Sequence, residues 1–537
     1  MAKVYPFPAF RYNAGKVSYD RVLTQPYDKI SPAMQDKYYA ADPHNLIAIE
    51  KGRALPGDTP AGVPGEKNVY SRAAEALQNW IREQVVVQDT RPCFYSYTQE
   101  YTVPGTLDQN GKGERRTRRG FIGAGKLEEY SAGVVFRHEH TLSGPKADRL
   151  ELLRHTQTHT GQLFLLYSDA ERVINKILAQ AESEAAPATE LADEYNVVHR
   201  LWVVWQPERI AAIHAAMAGQ KLVIADGHHR YETALNYRNE RRKESVREQG
   251  LPGSAEATDA TASSPSLAAT TSNPTLAASP ALSAAAGAAA AQIGATEHVE
   301  GASASVATAT AASLANGAAP SHGGAASVEA APYEAAMMTF VNTRSEGLTI
   351  LPTHRVVANI PDFSWATVRR YLEPWFAAEV FTFSSDVEKS AMRDKFLRRL
   401  VEARDLRAIG VYPAPEKAGS GAFYVLTLRP GANLAQLLPN VSPLQRELDV
   451  VLLHDGILEP ALGVTLAAAT AEKNLTYERE ASAALDAVDR RAAQVAFLLN
   501  ACSVDQTWNI ATSGEVMPQK STDFFPKLMS GITMYRV

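Results

Sequence analysis

The densest group of residues that could do chemistry lies within residues 221–243. This group consists of five consecutive residues, Asp226, Gly227, His228, His229 and Arg230. Imidazole and guanidinium groups donate hydrogen bonds, and several of them together can hold phosphoryl oxygens. The residue types therefore indicate an anion-binding site.

The residues around this group predict a strand, a tight turn and a helix. Residues 222–225 form a short apolar run, Asp226-Gly227 is a turn signal, and apolar residues at helical spacing follow. A helix that begins there directs free N–H groups beyond the end of the strand. Because the helix dipole disfavours cations at this end, two histidines and an arginine favour a functional role. The alternative is that Asp226 caps the helix and the basic residues are solvated.

Four short clusters contain seven of the 13 histidines, and one hypothesis gathers them on a metal ion. The clusters are His138 with His140, His155 with His159, His228 with His229, and His354. The spacing of His155 and His159 matches that of a zinc-binding helix, but the catalytic glutamate of that motif is absent. On a strand, His138 and His140 would share one face, with Glu139 opposite.

A second hypothesis gathers basic residues on phosphate. The candidates beside turns or strand ends are His228, His229, Arg230, His354, Arg355 and Lys520. Hydrogen bonds to charged groups are worth about 1.5–3 kcal/mol each, so a handful would hold a nucleotide. Lys520 and Ser521 superficially match a P-loop, but its glycines are missing, which excludes a Walker site.

Several carboxylates could bind magnesium or act as a base. They are Asp28, Glu50, Glu139, Asp148 and Asp226. For each one alone, a surface or capping role is the alternative.

Composition limits the classes of protein. The 537 residues are 45% hydrophobic and 21% charged, which is typical of soluble globular proteins. A net charge of −5 makes nucleic acid an unlikely partner. Cys93 and Cys502 lie too far apart in sequence to suggest a disulfide framework, so we expect a reducing cytoplasm. No apolar stretch has the length of a membrane span.

Strands that alternate with helices predict an α+β (mixed α/β) fold. We expect a first part at 1–244, a disordered Ala/Ser/Thr/Gly-rich insertion at 245–331 and a second part at 332–537 that completes the same domain. Ser31-Pro32 predicts the start of a helix, residues 46–50 a strand, and residues 483–500 a helix within a mostly helical last quarter.

Six segments carry a resemblance to a prokaryotic family, domain-of-unknown-function family 1015. They are residues 25–28 (Gln-Pro-Tyr-Asp), 138–141 (His-Glu-His-Thr), 146–149 (Lys-Ala-Asp-Arg), 225–234, 351–356 and 517–522. The family looks related to the ParB and sulfiredoxin superfamily, some of whose members are free-serine kinases with an Asp-Gly-His-x-Arg turn. Residues 226–230 match that turn position by position.

The resemblance implies a ParB/sulfiredoxin-like nucleotide-binding core, elaborated with extra strands and a helical C-terminal part. It also implies a phosphotransferase that uses ATP or ADP with Mg²⁺ and acts on serine or phosphoserine. For such an enzyme we assign phosphate binding to residues 227–230, His354, Arg355, Lys520 and Ser521, magnesium binding to Asp226 and Glu139, and catalysis to Asp226, His228 and Glu50.

Two other functions stay open at this stage. One is a ParB-like nucleotide-binding switch that acts on DNA or a protein partner, against which the acidic balance counts. The other is a metal-dependent phosphoesterase built on the histidine clusters.

Overall fold

A computed structural model describes residues 1–63, 65–106, 112–139, 144–248, 331–417, 419–465 and 474–537. The strands are β1 Val4–Tyr5, β2 Phe10–Tyr12, β3 Val86–Gln88, β4 Phe94–Thr102, β5 Arg115–Lys126, β6 Val135–Phe136, β7 Thr158–His159, β8 Leu163–Tyr167, β9 Thr189–Ala192, β10 Val198–Val204, β11 Leu222–Asp226, β12 Ala335–Asn342, β13 Thr349–Leu351, β14 His354–Val357, β15 Phe376–Phe383, β16 Ile409–Pro413, β17 Gly421–Leu428, β18 Leu475–Glu478, β19 Val495–Leu499, β20 Asp523–Phe525 and β21 Tyr535–Arg536.

The helices are α1 Tyr19–Val22, α2 Pro32–Ala41, α3 Ile47–Glu50, α4 Val69–Arg82, α5 Gly144–Thr156, α6 Val173–Glu184, α7 Pro207–Met217, α8 His228–Glu248, α9 Trp365–Leu372, α10 Asp386–Glu402, α11 Leu434–Leu437, α12 Asp449–Leu453, α13 Glu459–Leu462, α14 Ala481–Asp489 and α15 Val504–Thr512. A π-helical turn, His454–Leu458, joins α12 to α13. The predicted helix start is confirmed, because the Ser31 side chain accepts a hydrogen bond from the N–H of Met34 and Pro32 occupies the first helical position.

Nine of the described strands form a mixed sheet in the order β6-β11-β8-β12-β5-β4-β10-β9, with β1 also paired to β5. Strand β11 runs parallel to β6 and antiparallel to β8, and β12 runs parallel to β8. Alternate residues of β8 pack into two apolar clusters, Phe164 and Leu166 in one and Leu163 and Leu165 in the other. The sheet is therefore covered on both faces, as its nearly continuous apolar strands require.

A second sheet of six described strands has the order β15-β17-β16-β19-β14-β18. Both sheets belong to one compact unit. The prediction of a mixed α/β fold is confirmed, whereas the prediction of a mostly helical last quarter is wrong. Helix α14 ends at Asp489, and Val495–Leu499 is a central strand with every residue buried. A short apolar run has no period that separates a buried strand from a buried helix, which explains the error.

Residues 46–50 also differ from prediction, since they lie largely in α3 rather than in a strand. The side chain of Asn45 accepts a hydrogen bond of 2.9 Å from the N–H of Ile47 and starts the helical turn. The last turn of α8 includes residues 245–248, the first four of the predicted disordered insertion. Residues 249–330, which make up nearly all of it, lie outside the described residues.

Candidate functional site

The predicted strand, turn and helix are present as β11, Gly227 and α8. Gly227 has a φ of +94°, a conformation that side-chain-bearing residues rarely adopt. A β-carbon at this position would lie 3.1 Å from Cδ2 of Leu163 and 3.2 Å from Nε of Arg230. Only glycine therefore fits the turn that sets the direction of α8.

This turn forms one wall of a cavity of about 530 Å³, which we call the first cavity. The other walls come from the 3₁₀ turn Tyr27–Lys29, from β18 and from residues 519–527, which we call the closing segment. The charged and imidazole side chains in its lining are Asp28, Lys29, Glu139, Asp226, His228, His229, Arg230, Arg479, Lys520, Asp523 and Lys527, and its hydroxyl side chains are Tyr27, Thr353, Thr476, Tyr477 and Thr522. A lining of this kind suits a small, highly charged ligand.

Two histidines of the first cavity have ring nitrogens that find no partner in the described part of the chain. Nε2 of His228 and Nδ1 of His229 are buried and make no hydrogen bond with any described residue. Burial, together with the neighbouring His138, lowers the pKa of His228 well below its ordinary value. Buried polar atoms normally find a partner, so these two nitrogens indicate a ligand in the cavity.

His138 lies behind His228, with ring centroids 4.8 Å apart. Its Nδ1 is 2.6 Å from the carbonyl oxygen of Ile224, and its Nε2 is 2.8 Å from Oγ1 of Thr522. A carbonyl can only accept, so Nδ1 carries the proton of the neutral ring and Nε2 accepts the hydroxyl proton of Thr522. Burial lowers the pKa of His138 to about 4, which keeps it neutral. The hydroxyl oxygen of Thr522 therefore offers its lone pairs to the cavity.

Asp226 is held as a carboxylate by nearby cations. Its Oδ1 lies 3.7 Å from Nζ of Lys527 and its Oδ2 lies 3.5 Å from Nη2 of Arg230. Burial alone would raise the pKa of Asp226, but Lys527, Arg230 and Lys29 outweigh it and hold the pKa well below the ordinary value. Asp226 is therefore ionised, and this is the form that can bind a metal ion or accept the proton of a hydroxyl group.

The pKa of Glu139 is shifted in the opposite direction to that of Asp226. Burial raises its pKa to about 7, although the N–H of Lys520 donates a hydrogen bond to its Oε1. A carboxyl group that titrates near neutrality can accept and release a proton under physiological conditions.

Two buried arginines hold the closing segment. Nη2 of Arg355 donates to the carbonyl oxygens of Lys520 at 3.1 Å and Gln519 at 3.5 Å. Nη1 of Arg118 donates to the carbonyl oxygen of Phe525 at 3.3 Å, and its Nη2 donates to that of Pro526. Each arginine is only 1% exposed. The charged side chains of the segment are therefore anchored through its backbone.

The structure brings most, but not all, of the predicted site residues into the first cavity. Arg355 lies behind the cavity wall, and Ser521 is buried with its hydroxyl donating to the carbonyl oxygen of Pro518. His354 lines a second cavity of about 880 Å³ instead. Glu50 lines a side cavity of about 50 Å³, which shares Arg230 with the first cavity.

Glu50 is 2% exposed and has hydroxyl partners in the side cavity. Oγ1 of Thr160 donates to its Oε2 at 2.6 Å, and Oγ of Ser530 lies 3.4 Å from its Oε1. Oγ1 of Thr233, which lines the same cavity, is buried without a partner among the described residues. The side cavity therefore combines a buried carboxylate with a hydroxyl group that still lacks a hydrogen bond.

The predicted magnesium ligands, Asp226 and Glu139, both line the first cavity. Magnesium in phosphoryl-transfer sites takes one or two carboxylates together with phosphate oxygens, so this donor set fits the ion. In the described residues, no group of three or more His, Cys, Asp or Glu side chains could hold a metal ion. His155 contacts Glu66, whereas the ring of His159 stacks on that of Tyr535.

Sequence reasoning missed four charged residues of the first cavity, Lys29, Arg479, Asp523 and Lys527. Asp523 accepts from Nη2 of Arg479 at 2.9 Å and lies 3.0 Å from Nζ of Lys527. Three of them lie close to a motif in the sequence, since Lys29 follows the segment 25–28 and both Asp523 and Lys527 follow the Lys-Ser-Thr motif at 520–522.

The family model described as protein of unknown function (DUF1015) matches residues 4–262 and 305–451. The chain belongs to this family, as its motifs predicted. A search of curated proteins found no match. Among the described helices, none has both the length and the apolar character that a membrane crossing requires.

Solved structures similar to this chain include a conserved hypothetical protein from Pyrococcus furiosus. It has 9% identity and a TM-score of 0.26, over 73% of this chain and 86% of that one. Another is a free serine kinase in complex with AMP, with 8% identity and a TM-score of 0.29 over 74% and 88% of the two chains. A mutant of free serine kinase in complex with ADP has 7% identity and a TM-score of 0.28 over 74% and 89%.

Proposed function

We propose that this protein is a nucleotide-dependent phosphotransferase that moves a phosphoryl group between ATP or ADP and a small hydroxylated metabolite, with free serine or phosphoserine as the preferred metabolite. The observation that carries the proposal is the meeting of the 226–230 turn with Lys520 and Lys527 around one cavity. Phosphoryl transfer depends mainly on positioning and charge neutralisation, which such a lining can provide.

The phosphate groups would lie against the start of α8. Nε2 of His228 and Nδ1 of His229 have no protein partner among the described residues, and Arg230 adds a guanidinium group beside them. The free N–H groups of the helix start favour an anion at the same place. Lys520 and Lys527, from the closing segment, would neutralise the charge.

Magnesium, when bound, would neutralise charge on the phosphate oxygens, and Asp226 and Glu139 are the side chains that would hold it. The metabolite's hydroxyl group would enter beside Arg230, which lines both the first cavity and the side cavity. Glu50, which already accepts hydrogen bonds from hydroxyl groups, would orient that hydroxyl or take its proton.

We further propose that the 226–230 turn belongs to a ParB/sulfiredoxin-like core, because those residues match the superfamily's turn position by position. Neither of the other two functions has a specific observation in its favour. The histidine clusters do not converge on a metal site within the described residues, and the net charge remains acidic.

The test is to incubate the protein with Mg²⁺, ATP or ADP and a panel of amino acids that includes serine and phosphoserine, and to detect phosphorylated or dephosphorylated products. His228→Ala should weaken nucleotide binding by about ten- to a hundredfold, the equivalent of one hydrogen bond to a charged group. His44→Ala is the matched control, since His44 is 30% exposed and lines none of the three cavities. Absence of turnover with every substrate, together with unchanged nucleotide affinity in His228→Ala, would refute the proposal.

A further inference from the structure

The second cavity differs in chemistry from the first. It has a volume of about 880 Å³, within the range of pockets that bind small organic molecules. Apolar side chains make up part of its wall, among them Leu397, Leu400, Val401 and Leu498. The first cavity, by contrast, is lined mostly by charged and polar groups.

The two cavities adjoin. Arg479 lines both of them, and Thr353 of the first is followed along the chain by His354 of the second. The guanidinium group of Arg479 is paired with Asp523, which fixes it at the junction. One ligand with a charged end and a largely apolar end could therefore occupy both cavities.

His354 and Arg407 each place a hydrogen-bond donor at the second cavity. His354 is 4% exposed, and its Nδ1 accepts a hydrogen bond of 3.2 Å from the N–H of Leu499. Burial lowers its pKa to about 4, so the ring is neutral and its remaining nitrogen, Nε2, carries the proton. Nη2 of Arg407 is buried and has no hydrogen-bond partner among the described residues. These donors call for a ligand that offers acceptors, such as ring nitrogens or ribose oxygens.

We infer that the second cavity receives the nucleoside part of the nucleotide whose phosphates lie in the first cavity. The inference rests on the proposed function. It extends that function, because it places the base and sugar in the second cavity rather than at the turn at 226–230. In this arrangement His354 contacts the nucleoside, and Arg479 contacts the ligand where its sugar meets its phosphates. A nucleotide joins a polyanion to a flat and weakly polar base, which matches the contrast between the two cavities.

The test compares ADP with pyrophosphate, which carries two phosphates and no nucleoside, by isothermal titration calorimetry. Ala501 is exposed and lines the second cavity, so Ala501→Trp would fill the space without disturbing the core. Ala215→Trp, at an exposed position of α7, is the matched control. We expect Ala501→Trp to weaken ADP binding by about tenfold or more while pyrophosphate binding stays within about twofold.

Val401→Trp provides a second variant, because Val401 is 49% exposed and lines the same cavity. The inference fails, and the proposed function stands, if both variants bind ADP as Ala215→Trp does while His228→Ala loses ADP binding. It also fails if Ala501→Trp and Val401→Trp, shown to be folded by their melting temperatures, weaken ADP and pyrophosphate equally. Wild-type protein that binds neither ligand would refute the proposed function itself.

Discussion

Arg355 lies behind the wall of the first cavity, and its Nη2 donates a hydrogen bond of 3.1 Å to the carbonyl oxygen of Lys520, which lines that cavity. Within the described residues, no carboxylate forms an ion pair with this arginine. Burial lowers its pKa to about 10, still high enough for the guanidinium to be charged at neutral pH. Its partners are carbonyl oxygens, Nε2 of His454 and the ring of Tyr477. A buried cation held by neutral groups is costly, which indicates that its task is to fix the closing segment.

We therefore expect Arg355→Met to destabilise the protein and to weaken nucleotide binding, because Lys520 loses its anchor. Each carbonyl left buried without a donor costs roughly 1–3 kcal/mol of unfolding free energy. Denaturant unfolding and calorimetric titration with ADP would measure the two effects. Arg370→Met is the control, since Arg370 is exposed on α9. Normal ADP affinity in a destabilised Arg355→Met would show that the anchor does not position the site.

Gly227→Ala should impair both stability and binding. The left-handed conformation alone costs about 1–2 kcal/mol for a residue with a side chain. The new methyl group would also press on Leu163 and Arg230. Gly57→Ala isolates the first effect, because Gly57 has a φ of +89° with nothing within 4 Å of the added carbon. An equal loss of stability in the two variants would contradict the predicted steric contribution at the turn.

Glu139 should give the protein a pH-dependent stability near neutrality. Its folded pKa of about 7 lies above the ordinary value of 4.5, so the folded state holds the proton more tightly than the unfolded chain. The stabilisation is complete below about 4.5 and is lost as the pH rises through 7. Glu139→Gln should remove this loss, so that its melting temperature relative to wild type rises between pH 5 and pH 8. A constant difference across that range would be evidence against the raised pKa.

The proton that binds to Glu139 should compete with magnesium for this carboxylate. If Glu139 helps to hold the ion, the Mg²⁺ dependence of ADP binding should weaken as the pH falls below about 7 and Glu139 is protonated. In Glu139→Gln this pH dependence should disappear, which titrations of ADP at several magnesium concentrations would reveal.

Lys527→Met should make the protein more sensitive to acid. Lys527 helps to hold the pKa of Asp226 below its ordinary value of 3.8, so the stabilisation is present above that value and is lost as the pH falls through the folded pKa. Without Lys527 the folded pKa should rise, and acid unfolding should begin at a higher pH. Circular dichroism during an acid titration would show the shift. Lys395→Met on α10, at a position outside the first cavity, serves as the control.

The local part of the site could be predicted from sequence because its signals are local. An apolar run, an Asp-Gly turn and residues at helical spacing predict β11, Gly227 and α8 within one short segment. By contrast, Arg479 and Lys527 reach the first cavity through pairings of strands far apart in the chain. Nothing in the residues around Arg479 indicates that β18 will lie beside β14.

Two of the predicted phosphate-binding residues lie outside the lining of the first cavity for a physical reason. His354 and Arg355 are consecutive residues at the start of a strand, so their side chains point to opposite faces. One reaches the second cavity and the other reaches the back of the closing segment. Sequence adjacency predicted a shared position for the two side chains, which the alternation of a strand separates.

Strand β12 lies between β8 and β5 in the middle of the first sheet, although it follows residues 249–330 in the chain. A ribosome that has made residues 1–248 has therefore produced most of this sheet without its inner strand. At 5–20 residues per second, the missing strand follows roughly 5–20 s later. During that interval β5 and β8 each present an unpaired edge, and such edges recruit strands from other chains. Production of this protein should accordingly depend on chaperones that shield nascent chains.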